Sequence, residues 1–204
     1  MKYQAVVFDM DGVLIDSKEC MNLCWIKVQK ETGITIEFSN YFSKIGKPFK
    51  VILSELGLAQ EYWTKMEKIY FQAQEEYLKE IKPYDGVEDM LIELRKNYVL
   101  GLVTSKGSKA VDLILNKFGW NFSQVITPDN CARGKPFPDP LLYFTAFEQI
   151  SPNNCIYIGD MFVDMKAAEL AGFDFIRAGW GYQEFDAETV GTPKELIEMI
   201  GRSK

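Results

Sequence analysis

The stretch Ala5-Val6-Val7-Phe8-Asp9-Met10-Asp11-Gly12-Val13-Leu14-Ile15-Asp16-Ser17 decides the fold. Its first four residues form an apolar run rich in β-branched and aromatic side chains, which predicts a short strand buried on both faces. The run stops at two carboxylates two positions apart, Asp9 and Asp11, and Gly12 then lets the backbone turn sharply. Charge set against a buried strand is costly unless something compensates it. A hard divalent cation such as Mg²⁺ does so well, because it prefers carboxylate oxygens. Taken alone, the Asp-x-Asp triplet also fits a strand end that merely caps the next segment, so its meaning depends on the rest of the chain.

The chain has 204 residues, enough for one large domain or a domain with a smaller insertion, and 47% of them are hydrophobic, enough for a sizeable core. The net charge is −6 and no basic block stands out. A nucleic-acid surface, which needs clustered Lys and Arg, is therefore not expected. No apolar run is long enough to span a membrane. The opening Met1-Lys2-Tyr3-Gln4 reaches an aspartate by position 9 and does not read as a signal peptide. Cys20, Cys24, Cys131 and Cys155 show no metal spacing and are expected to be reduced thiols of a cytoplasmic protein. Histidine is absent. That excludes Ser-His-Asp and Cys-His catalysis, His-ligated zinc and a phosphohistidine intermediate. Cysteine-based phosphatase chemistry needs an Arg six residues after the Cys, and those positions hold Ile26, Lys30, Phe137 and Met161. Acid–base chemistry then falls to carboxylates, lysines or a metal.

Beyond Asp16 the texture turns helical. Cys20, Leu23, Cys24 and Val28 share one helix face, and Gly33 closes that helix. Ile45-Gly46-Lys47-Pro48 reads as a turn. Trp63, Met66, Tyr70, Ala73 and Tyr77 form a second helical stripe, which is the pattern of packing rather than of a ligand box. No strand is predicted between 17 and 82, and Lys82-Pro83-Tyr84-Asp85-Gly86 reads as a hinge. Residues 16–83 are thus an all-helical insertion between segments 1–15 and 84–204. From 87 the pattern alternates: a helix over 87–96, a strand over 98–103, a helix to Phe118, a strand over 124–126, and a rigid link Gly134-Lys135-Pro136-Phe137-Pro138-Asp139-Pro140 with Asp139 as helix cap. A strand over 155–158, a helix over 165–171, a strand over 173–177 and a last helix from Thr192-Pro193 to Ile200 complete it. Alternating strands and helices imply an α/β fold with a parallel sheet and right-handed crossovers.

In such sheets ligands bind beyond the carboxyl ends of the strands. Polar residues gather at that edge: Asp9 and Asp11 after the first strand, Thr104 and Ser105 after the second, Lys135 in the link after the third, and Asp160 with Asp164 after the fourth. Singly, Thr104-Ser105 reads as a helix cap, Lys135 as a solvated lysine, and Asp164 as first-turn helix electrostatics. Together they suit phosphoryl transfer. Asp9 can serve as in-line nucleophile, and Asp11 as the acid that protonates the leaving oxygen. Asp9, Asp160 and the backbone carbonyl of Asp11 can hold Mg²⁺, with Asp164 as a ligand or as a support that hydrogen-bonds a metal-bound water or Lys135. Thr104, Ser105 and Lys106 open a helix that favours an anion, and Lys135 adds fixed positive charge. Lys47, Lys50 and Arg133 are further candidates for contacting an anionic substrate.

On these residues the chain resembles the haloacid dehalogenase superfamily in its phosphatase branch. The four signatures occur in order: Asp9-Met10-Asp11-Gly12-Val13, the strand ending at Thr104, Lys135 in Gly-Lys-Pro-Phe-Pro, and Gly159-Asp160 with Asp164. The resemblance implies a Rossmann-like three-layer core, residues 1–15 and 84–204, and an α-helical cap, residues 16–83. Ile45-Gly46-x-Pro48, Pro83-Tyr84-x-Gly86-Val87 and Gly179-Trp180-Gly181-Tyr182 make it most similar to the phosphoglycolate phosphatase group. The implied function is a Mg²⁺-dependent phosphatase of a small phosphate monoester, either phosphoglycolate-like or a sugar phosphate, working through an aspartyl-phosphate. A phosphomutase, a phosphonatase with a cap lysine (Lys18, Lys27, Lys44 or Lys47), and a non-catalytic protein that binds phosphorylated ligands stay open as alternatives. The expected state is a monomer without nucleic-acid or membrane partners.

Overall fold

The computed structural model describes residues 2–202. In chain order the elements are β1 (Ala5–Phe8), β2 (Ile15–Asp16), α1 (Lys18–Thr32), α2 (Phe38–Phe42), α3 (Phe49–Glu55), α4 (Trp63–Glu76), β3 (Lys82–Pro83), α5 (Val87–Leu94), β4 (Val99–Val103), α6 (Ser108–Phe118), β5 (Gln124–Ile126), α7 (Asp139–Glu148), β6 (Cys155–Gly159), α8 (Phe162–Ala171), β7 (Asp174–Ala178), β8 (Thr189–Val190) and α9 (Pro193–Arg202). Six strands form one sheet in the order β5-β4-β1-β6-β7-β8, and every pairing in it is parallel.

The apolar run that opens the chain lies at the centre of this sheet. All four residues of β1 are buried, and successive side chains serve opposite faces, as the pleat requires. Val6 and Phe8 join Leu100, Leu102, Ile156 and Ile158 in the larger core cluster. Ala5 and Val7 join Val103, Tyr157 and Phe144 in the other. Helices thus cover both faces, the Rossmann-like three-layer arrangement. On the second face α7 presses directly onto β4: a Cβ at Gly101 would lie 2.3 Å from the Phe144 ring. Gly101→Ala is therefore expected to destabilise the protein by roughly 1–3 kcal/mol through overpacking. Urea unfolding would register this as a lower midpoint at unchanged slope.

Two short features differ from the sequence reading. Ile15–Asp16 and Lys82–Pro83 pair antiparallel, Ile15 with Pro83 and Asp16 with Lys82, where the sequence suggested only a hinge at 82–86. The parallel strand β8 was also unseen. Runs of two residues are too short to show an alternating pattern. Helix α8 starts at Phe162 rather than 165, and Pro138, not Asp139, precedes α7. The four helices α1–α4 all lie between β2 and β3 in sequence, with α1 and α4 packed side by side. Met66, Ile69, Tyr70, Ala73 and Gln74 form the buried side of α4, and Gly33 ends α1 in the left-handed conformation. Among the described residues no helix is long and apolar enough to cross a membrane.

Candidate active site

The strand register fixes where the acidic residues meet. Phe8 is level with Leu102 on one side and Ile158 on the other. One step further stands Asp9, whose amide donates to the Ile158 carbonyl (2.9 Å). Thr104 and Asp160 follow at the same edge of the sheet, so residues about 95 and 150 positions from Asp9 come beside it.

Lys135 lies at the centre of this group and is 3% exposed. Its ammonium sits 2.6 Å from Asp164 Oδ1 and 3.0 Å from Asp9 Oδ1. It also donates to the Tyr157 hydroxyl at 3.0 Å, which in turn donates to the Val103 carbonyl at 2.9 Å. Burial would by itself lower the Lys135 ammonium, but Asp164, Asp9 and Tyr157 together hold it well above the ordinary lysine value. The residue is a fixed cation rather than a solvated one.

Asp164 is engaged on both oxygens. Oδ1 accepts from Lys135, and Oδ2 accepts the amides of Asp160 (3.2 Å) and Met161 (3.0 Å). It closes the first turn of α8 and aims Lys135 at Asp9. Asp160 is different. Its Oδ2 accepts the Tyr182 amide at 2.7 Å, while Oδ1 is buried with no hydrogen-bond partner among the described residues. Glycines press on this carboxylate from two sides. A Cβ at Gly12, whose φ is +82°, would lie 2.1 Å from Asp160 Oδ2, and one at Gly181 would lie 2.2 Å from Asp160 Cβ and 2.7 Å from the Gly12 carbonyl. No larger residue fits at either position.

Asp9, Asp160 and Asp164 offer carboxylate oxygens within 4.8 Å of one another, all three residues buried. The electrostatics are those of a site short of positive charge: three buried carboxylates face one buried ammonium. Burial, reinforced by Asp164 and Asp11 against the pull of Lys135, pushes the Asp9 carboxyl from 3.8 up to about 7. Burial and then Asp164 push Asp160 well above its ordinary value. The unpartnered Asp160 oxygen and the excess of carboxylate charge both fit a divalent cation. Asp9 and Asp160 have oxygen capacity left for it, whereas Asp164 is already committed.

Asp11 faces away from this cluster. Its Oδ1 accepts from the Ser17 hydroxyl and lies 3.1 Å from the Lys106 ammonium. Thr104 Oγ1 accepts the Lys106 amide at 3.1 Å, and Ser105 Oγ donates to the Gly46 carbonyl at 2.8 Å, tying the 45–48 turn to this loop. A cavity of about 660 Å³ runs from Asp9, Asp11 and residues 104–106 toward the helices α1–α4. Lys47 lines it with its ammonium held by Glu55 at 2.6 Å. Lys18, Lys27 and Lys44 are not among its lining residues. Lys50 lines it as well, whereas Arg133 pairs with Asp139 at 2.9 Å.

Some contributors escaped the sequence reading. Ser17 and Tyr157 carry no motif of their own; Ser17 holds Asp11 nearby, whereas Tyr157 acts through Lys135 and Val103 far along the chain. Gly179–Tyr182 was noted only as a resemblance; here the Tyr182 amide holds Asp160, and the Trp180 indole donates to the Val13 carbonyl at 3.0 Å.

Comparison with known proteins points the same way. The family model described as haloacid dehalogenase-like hydrolase matches residues 6–178. The chain is 33% identical over 199 residues to a phosphoglycolate phosphatase of Xylella fastidiosa, covering 90% of this chain and 83% of that one. It is 25% identical to an N-acetylmuramic acid 6-phosphate phosphatase of Pseudomonas aeruginosa, covering 100% of this chain and 97% of the relative. In fold it is similar to a crystal structure of a hydrolase from Pseudomonas syringae, with a TM-score of 0.88 at 22% identity over 97% of this chain and 98% of that one.

Proposed function

We propose, given that this chain belongs to the haloacid dehalogenase-like hydrolase family, that it is a phosphatase that hydrolyses a small phosphate monoester through a phosphorylated Asp9. The observation that carries this reading is the buried group Asp9–Lys135–Asp164, with the unpartnered Asp160 beside it. The relatives above are named as phosphatases of small phosphate esters, which supports the same reaction class.

Asp9 lines the cavity and, ionised, can attack phosphorus in line with the departing oxygen. Lys135 is held by Asp164 and Tyr157 so that its charge is in place before the substrate arrives, and it needs no reorganisation during reaction. Residues 104–106 do not open α6, which begins at Ser108, and the Lys106 amide is taken by Thr104 Oγ1; the Thr104 hydroxyl and the Ser105 amide, in the loop before that helix, would receive the phosphoryl oxygens. Asp11, positioned by Ser17 and Lys106, gives a proton to the leaving oxygen and then takes one from the attacking water. A phosphate that draws Lys106 toward itself frees Asp11 for that task. Mg²⁺ would be held by Asp9, Asp160 and the carbonyl of Asp11, with Asp164 supporting. When bound it would cancel carboxylate–phosphate repulsion and withdraw charge from the phosphoryl oxygens.

We treat residues 16–83 as a cap on a core of residues 1–15 and 84–204, with closure shutting out bulk water. The four free cysteines fit a reducing, cytoplasmic setting, and a monomer suffices for every group named here. A screen of phosphate monoesters tests the reading: Mg²⁺-dependent release of inorganic phosphate is expected from at least one of them. Production of an isomer or an aldehyde instead would replace it with a mutase or a phosphonatase.

A further inference from the structure

The cavity says more about what leaves than about the phosphate. Away from Asp9 its walls are aromatic. Tyr41, Phe49, Tyr70 and Phe71 all line it; Phe49 and Tyr70 lie with ring centres 4.7 Å apart, and Tyr41 stacks on Trp25 at 4.5 Å. Within this apolar wall sits Gln74, one helical turn beyond Tyr70 on α4 and 6% exposed. Its Oε1 is buried with no donor among the described residues. A buried amide oxygen without a donor is a standing cost that native structures normally remove. Tyr41 donates its hydroxyl proton to Tyr70 at 2.9 Å, which leaves the Tyr70 proton without an acceptor among the described residues. Burial holds both phenols protonated. The wall therefore offers one neutral acceptor and one neutral donor beside flat rings.

The cations tell the complementary story. Lys47 is held by Glu55, Lys50 lies 3.2 Å from Glu67, and Lys106 is paired with Asp11. Lys68 and Lys109, which also line the cavity, are exposed. A second anionic group on the substrate would enter the aromatic wall without a free buried cation among the described residues to meet it, and an unpaired buried carboxylate is strongly disfavoured.

Resting on the phosphatase reading above, we infer that the leaving group is an uncharged, hydroxyl-bearing group of sugar size, read by Gln74 and Tyr70, and not a short carboxylate. Rings for the apolar faces, with an amide and a phenol for the hydroxyls, form the expected recognition set. A site built to bond hydroxyls discriminates strongly against ligands that lack them.

The test compares kcat/KM for glucose 6-phosphate, sorbitol 6-phosphate, 2-phosphoglycolate and p-nitrophenyl phosphate. The better neutral ester is expected to exceed 2-phosphoglycolate at least about tenfold. Gln74→Leu, checked for folding by circular dichroism, is expected to shrink that ratio about tenfold, mainly through KM for the neutral ester. A purely structural role would lower both substrates together. Tyr70→Phe gives the same reading if Gln74→Leu does not fold. Turnover of the aryl phosphate together with a preference for 2-phosphoglycolate, or a ratio unmoved in folded variants, overturns the inference and leaves the phosphatase reading standing. No phosphate released from any of the four overturns both.

Discussion

Asp9→Asn is expected to abolish phosphate release, lowering kcat by at least about 10⁴-fold, because the amide cannot form the covalent intermediate and loss of a nucleophile removes its whole catalytic unit. The fold is expected to survive, and in the metal-free protein the variant should be more stable than the wild type at alkaline pH. The sign comes from the carboxyl at position 9. Its folded-state pKa is raised from 3.8 to about 7, so between those values the folded state holds a proton that the unfolded state has lost. Stability from this group is complete below the unfolded value and disappears as pH rises through the folded one. Asparagine keeps the shape and removes that slope. Thermal melts of both proteins in chelator, from about pH 5 to about pH 8, would show the wild type falling more steeply. A parallel fall in both would contradict the raised carboxyl.

The second large effect concerns magnesium. With Asp9 and Asp160 both ionised, the cluster holds more carboxylate charge than Lys135 can offset. Chelation is expected to remove all turnover and to lower the melting temperature most at the upper end of the pH range. Restored Mg²⁺ at about a hundred times its dissociation constant should return about 2.7 kcal/mol by linkage. Asp160→Asn should lose most of that response, because it replaces the carboxylate whose Oδ1 has no other partner. A melting temperature indifferent to Mg²⁺ at every pH would remove the metal from the account.

Much of this architecture could be read from short-range patterns. The runs at Ala5–Phe8, Val99–Val103 and Cys155–Gly159 announce buried strands because both faces are covered, and their polar ends announce the working edge. The identity of the partners could not be read in the same way. That Lys106 pairs with Asp11, that Tyr157 supports Lys135, and that Gly12 and Gly181 close on Asp160 are facts of register between segments far apart in sequence. Asp164 was legible in part: its position suggested first-turn electrostatics, metal support or a hydrogen bond to Lys135, and the structure places Lys135 on one oxygen and two amides at the start of α8 on the other. Gln74 stands next to a stripe that read as ordinary packing and drew no reading of its own; only burial without a donor among the described residues marks it out. The pairing of β2 with β3 was invisible because two residues make no period.

Peptide mass spectrometry on wild-type protein, acid-quenched during turnover with excess substrate and Mg²⁺, addresses the nucleophile directly. One added phosphoryl group on Asp9, absent from the Asp9→Asn protein, is the predicted result. Steady phosphate release with the label on another residue, or with rapidly quenched protein never phosphorylated at Asp9, would contradict it.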